Sequence, residues 1–188
     1  MAWRIVVTIV LLLVFSFIRF LMPPQSLSGW FNVDNEFSET SGKVKVFSTY
    51  PFNHKAEITI NVGTDNNVKE GAVVTVDGRF LLGKAVKIFS SYSVVQTIFD
   101  VSWKMPVRVG KTGVDALLIG GLEPRLTMIA LNKPVSTGES IYSAGVGFPY
   151  GLEIGKIKDV IEEPTGIFKE TTIELPYNFN ELREVVIK

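Results

Sequence analysis

Few residues in this chain are equipped for covalent chemistry. One histidine, His54, no cysteine and nineteen carboxylate side chains stand among 188 residues. A His-rich metal centre, thiolate ligands, disulfides and a cysteine nucleophile are therefore excluded. The order His54, then Asp65, Asp77 or Asp100, then Ser143 is the chain order of a chymotrypsin-like triad. Ser143, however, sits in Tyr-Ser-Ala-Gly-Val-Gly, away from the Gly-Asp-Ser-Gly setting of a protease oxyanion turn, and His54 lies in a turn-like Pro-Phe-Asn-His-Lys stretch. A lone surface histidine is the better reading, and a secreted or membrane-tethered serine hydrolase of chymotrypsin-like fold is the alternative. Gly145-Val146-Gly147 with Gly151 and Gly155 would cradle a phosphate only if a helix followed, because the helix supplies the dipole and the free amides. Phe148-Pro149-Tyr150 interrupts that run and a strand is expected after it, so the glycines read as a tight corner that permits positive φ and close strand crossing. Glu162 and Glu163, adjacent on an expected strand end, point to opposite faces and cannot share acid–base work. No catalytic residue, cofactor or metal site is assigned.

Nineteen Lys and Arg balance nineteen Asp and Glu, which argues against a basic nucleic-acid-binding surface, while 46% hydrophobic residues supply enough apolar area for a folded core. The elements that must carry any function begin with an apolar run. Ile5 to Ile18 holds no charge, and continuing past Arg19 to Met22 gives about 27 Å of helix, close to the roughly 30 Å bilayer core. Arg19 lies one turn from the end, where its side chain snorkels to the interface, and Pro23-Pro24 stop the helix. A cleaved signal peptide competes for this segment, as does a buried soluble helix. The bulky residues and two prolines after the run leave no small-x-small cleavage site, which favours a retained membrane anchor. Residues 25–41 are polar, without sustained period, and read as a tether; Trp30, Phe31 and Phe37 suit a membrane interface.

From Gly42 onward short runs rich in Val, Ile, Thr and aromatics alternate with Gly, Pro, Asn and Asp, the pattern of strands. Expected strands are 43–47, 57–62, 72–76, 80–89, 92–99, 106–109, 114–119, 126–131, 140–143, 154–161, 171–175 and 184–187. Asp77-Gly78 between two of them predicts a tight hairpin, since both residues tolerate the positive φ of a type I′ turn. The expected fold class is all-β: two small β-barrels in a chymotrypsin-like arrangement after one N-terminal transmembrane helix. Its expected domains are a cytoplasmic start and helix at 1–22, a linker at 23–42 and an extracytoplasmic β-region at 43–188. The internal boundary is placed near Asp100 to Lys104.

Several stretches resemble the rod shape-determining MreC family. Ile58-Thr-Ile-Asn-Val-Gly63, then Val68-Lys-Glu-Gly-Ala-Val-Val-Thr-Val-Asp-Gly78, is similar to its strand, turn and Asp-Gly hairpin, and Leu82-Gly83-Lys84-Ala85-Val86 to its next strand. Tyr142-Ser-Ala-Gly-Val-Gly-Phe-Pro-Tyr-Gly-Leu-Glu-Ile-Gly-Lys-Ile157 resembles its glycine-rich Phe-Pro block, and Gly166-Ile-Phe-Lys169 and Asn180-Glu-Leu-Arg-Glu-Val-Val-Ile187 its closing segments. The order is kept over residues 43–188. The resemblance implies a noncatalytic, membrane-anchored scaffold of cell-wall elongation that maintains rod shape by organising peptidoglycan synthesis. It would be single-pass in the cell inner membrane, with MreD, MreB, RodA and the elongation-specific penicillin-binding transpeptidase as partners. The family's heptad-rich helix has no counterpart in 25–41, so self-association would have to use β-domain surfaces or the membrane helix. Phe148, Tyr150 and Phe168, in glycine- or proline-bearing loops, are the candidate partner-binding anchors, with core packing as their competing role.

Overall fold

The computed structural model describes residues 42–47, 55–162 and 166–188. All of them belong to one compact unit, Ser38–Lys188. The expected membrane helix, the tether and His54 lie outside the described residues. The described residues form twelve strands: β1 (Lys43–Lys45), β2 (Glu57–Ile60), β3 (Val73–Val76), β4 (Phe80–Ile88), β5 (Ser93–Thr97), β6 (Lys104–Val109), β7 (Val114–Ile119), β8 (Arg125–Ala130), β9 (Ser140–Ser143), β10 (Glu153–Glu162), β11 (Phe168–Glu174) and β12 (Glu184–Ile187). Every expected strand appears, three of them with unchanged bounds. The only helical elements among the described residues are short 3-10 turns at Thr64–Asn66 and Phe179–Glu181.

Alternation builds these strands. β6 reads exposed, buried, exposed, buried along Lys104–Val109, placing Met105, Val107 and Val109 inside. Asp77 and Gly78 both take positive φ, 52° and 69°, and the Arg79 amide donates to the Val76 carbonyl at 3.0 Å, forming the anticipated hairpin turn.

Six strands close on themselves. β10 pairs with β11, β11 with β8, β8 with β7, β7 with β6, β6 with β9, and β9 returns to β10, every contact antiparallel. This circuit is a barrel without an edge, which removes the unpaired backbone groups that invite aggregation. Leu118, Leu126, Ile129, Ile141, Ile154 and Ile157 are buried at 1% exposure or less. Each such side chain contributes roughly 1.5–3 kcal/mol by leaving water. Pro106 lacks an amide donor, and it is tolerated because it stands at the margin of the β6–β9 ladder, whose pairing begins at Val107↔Ser143.

The remaining six strands pair in the order β1, β12, β3, β4, β5, β2. Their two ends meet at a single bridge, Val46↔Ile60. The last strand of the chain thus lies between the first and the third. Contacts between the two strand sets are few and specific. Glu153 pairs in parallel with Phe80, and Arg79 holds the same Glu153 oxygen through Nε at 3.0 Å and Nη2 at 2.8 Å. The Tyr177 hydroxyl donates to the Leu81 carbonyl at 3.0 Å, and burial raises its phenol pKa well above the ordinary range. The connection from β5 to β6 is tied by Asp100, whose carboxylate accepts the hydroxyl and the amide of Ser102, both at 2.6 Å. The Ser102 hydroxyl, then its amide, hold the Asp100 carboxyl below its ordinary pKa.

One buried hydroxyl is unmatched. Thr171 on β11 is fully buried, and its Oγ1 has no hydrogen-bond partner among the described residues. Thr171→Val keeps the shape and removes the unmet polar atom, so it should stabilise the unit by about 1 kcal/mol. Thermal denaturation followed at 218 nm would show the rise; a lowered midpoint would mean that the hydroxyl has a partner.

Candidate functional site

The glycine corner joins β9 to β10 and shows how the local sequence shapes an exposed loop. Gly147 and Gly151 take φ of 85° and 77°, which an L side chain rarely adopts. Gly155 is needed for a different reason: a Cβ there would lie 2.4 Å from the Glu174 carbonyl oxygen of β11. A strand, not a helix, follows the glycines, so the loop has no helix N-terminus to hold a phosphate. Ser143, at 1% exposure, donates its hydroxyl to the Pro149 carbonyl and accepts the Leu152 amide at 3.0 Å. Its oxygen therefore fastens the two ends of the loop.

Within this corner Phe148 and Tyr150 part company. Phe148 is half-buried, edge-on to Trp103 with ring centroids 5.6 Å apart. Tyr150 is 72% exposed. Its ring stands 5.6 Å from the Arg108 guanidinium, which also donates from Nη1 to the phenol oxygen. Arg108 is itself held by Asp115 through a 3.2 Å contact, and that carboxylate, followed by Tyr150, raises the guanidinium pKa. An exposed aromatic fixed by two neighbouring strands loses little rotamer freedom on binding, which favours it as an anchor.

Phe168 belongs to a second apolar surface at the end of the β10–β11 hairpin where the two strands are connected. Register places Phe168 opposite Ala130 and Ile161 opposite Glu170, and the two-residue spacing of 168 and 170 puts all four on one outer face. Ile161, Ile167 and Phe168 are 47%, 78% and 41% exposed. Beside them the β8–β11 register slips between Lys169 and Thr171, and Met128 occupies the slip with φ 60° and 56% exposure. A bulky residue in the left-handed region costs roughly 1–2 kcal/mol, and an exposed methionine returns nothing to the core. Met128→Gly should therefore raise stability by about 1 kcal/mol while narrowing the apolar face. Chemical denaturation would check the gain; no gain would mean that the Met128 side chain packs well enough to offset its backbone strain.

The acidic candidates of the triad order are scattered over separate turns. Asp65 lies in the 3-10 turn after β2, Asp77 in the β3–β4 hairpin and Asp100 in the β5–β6 connection bonded to Ser102. Glu163 is outside the described residues. Among the described residues no three His, Cys, Asp or Glu side chains gather as a metal site. Arg108, Met128 and Ile167 are the neighbours that sequence reading missed. Met128 falls in phase with buried Leu126, so only the register slip turns it outward, and nothing in the sequence marks Arg108 as the partner of Tyr150.

The family model described as "Rod shape-determining protein MreC, barrel core" matches residues 46–188. That range includes all of the closed barrel and most of the second strand set. The chain belongs to the MreC family. A cell shape-determining protein MreC of Cereibacter sphaeroides is 30% identical over 129 residues, 66% of this chain and 42% of the relative. The chain spans about half the length of the curated relatives it matches. Among solved structures, MreC of Listeria monocytogenes superposes with a TM-score of 0.69 at 22% identity, covering 78% of this chain and 73% of that one. MreC in a complex with the penicillin-binding protein PBP2 of Helicobacter pylori superposes with a TM-score of 0.60 at 13% identity, covering 79% of this chain and 97% of that one. At these identities the superpositions establish the MreC fold.

Proposed function

We propose that this MreC-family chain is a noncatalytic, membrane-anchored scaffold of cell-wall elongation that maintains rod shape by organising peptidoglycan-synthesising enzymes. The family match over 46–188 carries this reading. The apolar run Ile5 to Met22 would hold the chain in the inner membrane as a single span, with the β unit extracytoplasmic. The second strand set, whose ends meet at Val46↔Ile60, is proposed as the second small barrel, with the 98–103 connection dividing the two.

The partner that the reading favours first is the elongation-specific penicillin-binding transpeptidase. The complex of the Helicobacter pylori relative with PBP2 supports it, as do two exposed apolar surfaces on this chain, around Tyr150 and around Phe168. Phe148 is proposed as a support for that loop rather than a direct contact. MreD, MreB and RodA are the further partners of the same assembly, and a tether confines all encounters to one membrane, raising their effective concentration. Self-association would use β-unit surfaces or the membrane helix. Restoring rod shape to cells depleted of their own MreC tests the reading. The full chain should restore rods, and a chain lacking 1–22 but exported should not. Equal rescue by both would sink the anchor, and rescue by neither would sink the scaffold role.

A further inference from the structure

We propose that the tip of the β4–β5 hairpin, Phe89-Ser90-Ser91-Tyr92, is a lipid-interface contact that seats the β unit on the headgroup layer of the membrane holding its tether. The proposal deepens the anchored reading above and rests on it. Strand direction places the tip. Val46, directly after β1, bridges Ile60 of β2, and β2 pairs with β5 through Ile60↔Ser93. Both pairings are antiparallel, so moving toward Asn61 on β2 means moving back toward Gly42 on β1 and back toward Tyr92 on β5. The end of the sheet where the chain arrives from its apolar segment is thus the end that carries the hairpin tip. Only residues 23–42 separate that segment from β1.

The tip has the composition and the rigidity of an interfacial anchor. Phe89 and Tyr92 are 44% and 37% exposed and stack at 4.4 Å with an interplanar angle of 17°. The Phe89 amide donates to the Tyr92 carbonyl at 2.9 Å, closing the turn. From the side, the Thr64 and Asp65 amides donate to the Phe89 and Ser90 carbonyls at 2.9 and 3.0 Å. Gly63 makes that buttress possible, since a Cβ there would come within 1.9 Å of the Phe89 oxygen. A stacked pair of aromatics, one with a hydroxyl, is suited to the boundary between acyl chains and headgroups. Exposed Lys45, Lys69 and Lys87 lie near the same end, against exposed Asp65 and Glu70, while Lys43 is paired with Glu184 at 3.6 Å. Anionic headgroups would favour that modest basic excess.

The absence of cysteine makes the test direct. The full chain is reconstituted in nanodiscs of phosphatidylethanolamine and phosphatidylglycerol with a nitrobenzoxadiazole label at Ser91→Cys, and at Thr112→Cys in the β6–β7 turn as control. The Ser91 label should shift to the blue and be quenched at least about twofold by doxyl-labelled lipid, the control label should not respond, and Phe89→Ser with Tyr92→Ser should abolish the difference. A chain that stays with the nanodiscs through a carbonate wash while its Ser91 label behaves like the control overturns the tip contact alone. A Ser91 label shielded from water but not quenched by lipid assigns the tip to a protein contact and also overturns the proposal. A chain washed off the nanodiscs overturns the anchored reading and the tip contact together.

Discussion

Gly120→Ala is expected to destabilise the β unit by at least about 3 kcal/mol and to leave most of the protein insoluble. A Cβ at this position would stand 2.1 Å from the Asp100 carbonyl oxygen, 2.7 Å from that of Ile98 and 2.7 Å from the Trp103 Cβ. Two of these three atoms belong to backbone, which cannot rotate away as a side-chain end can. The Gly120 amide also donates to the Trp103 carbonyl at 2.9 Å, so β7 leaves the barrel pressed against the 98–103 connection. The damage should therefore spread to Trp103, 4% exposed, and to the Phe148 ring resting on it. Adjacent Gly121 has open space at its Cβ but φ 140°, outside the left-handed well near 57°, so Gly121→Ala should cost only backbone strain of about 1–3 kcal/mol, without the crowding at Gly120. Soluble yield and thermal midpoint of the two variants provide the comparison. Equal behaviour would show that crowding at Gly120 is relieved by a backbone shift.

The second large effect concerns binding. Tyr150→Ala and Phe168→Glu should each weaken association with the elongation-specific transpeptidase by about 2 kcal/mol, roughly thirtyfold, if each is a central anchor. Both side chains are exposed, so the folded state should be little changed. Phe148→Ala supplies the contrast, because its ring packs against Trp103 and its loss should lower the melting temperature by more than it lowers affinity. Affinity measured by surface plasmon resonance alongside melting temperature separates the two roles. A Tyr150→Ala variant with unchanged affinity would assign that side chain to the local bond with Arg108 and nothing more.

How far the sequence foretold these features depended on how local each feature is. β7, β9 and β12 were legible to the residue, because alternation and flanking Gly or Pro define short strands from within. The Asp77-Gly78 turn was legible for the same reason. β6 begins two residues before Pro106, where proline's missing donor argued for a start, and the ladder margin explains the tolerance. Gly166-Ile167-Phe168 carries turn chemistry and reads as loop, whereas pairing with β8 extends β11 to Phe168. The position of β12 between β1 and β3 is set by pairings across most of the unit's length, and no pattern within β12 encodes it. In the candidate site, Phe148 and Tyr150 are chemically alike and two residues apart. Their opposite fates, one under Trp103 and one held outward by Arg108, follow from strands distant in sequence.

Photocrosslinking in growing rod-shaped cells tests the scaffold claim most directly. The full chain would carry a benzophenone amino acid at position 150, at 168, or at the control position 112 in the β6–β7 turn. Crosslinks from 150 and 168 to the elongation-specific transpeptidase, recovered in the membrane fraction and missing from the control, are the predicted result. Crosslinks from 150 and 168 that match those from 112, or a chain recovered wholly in the soluble fraction, would contradict it.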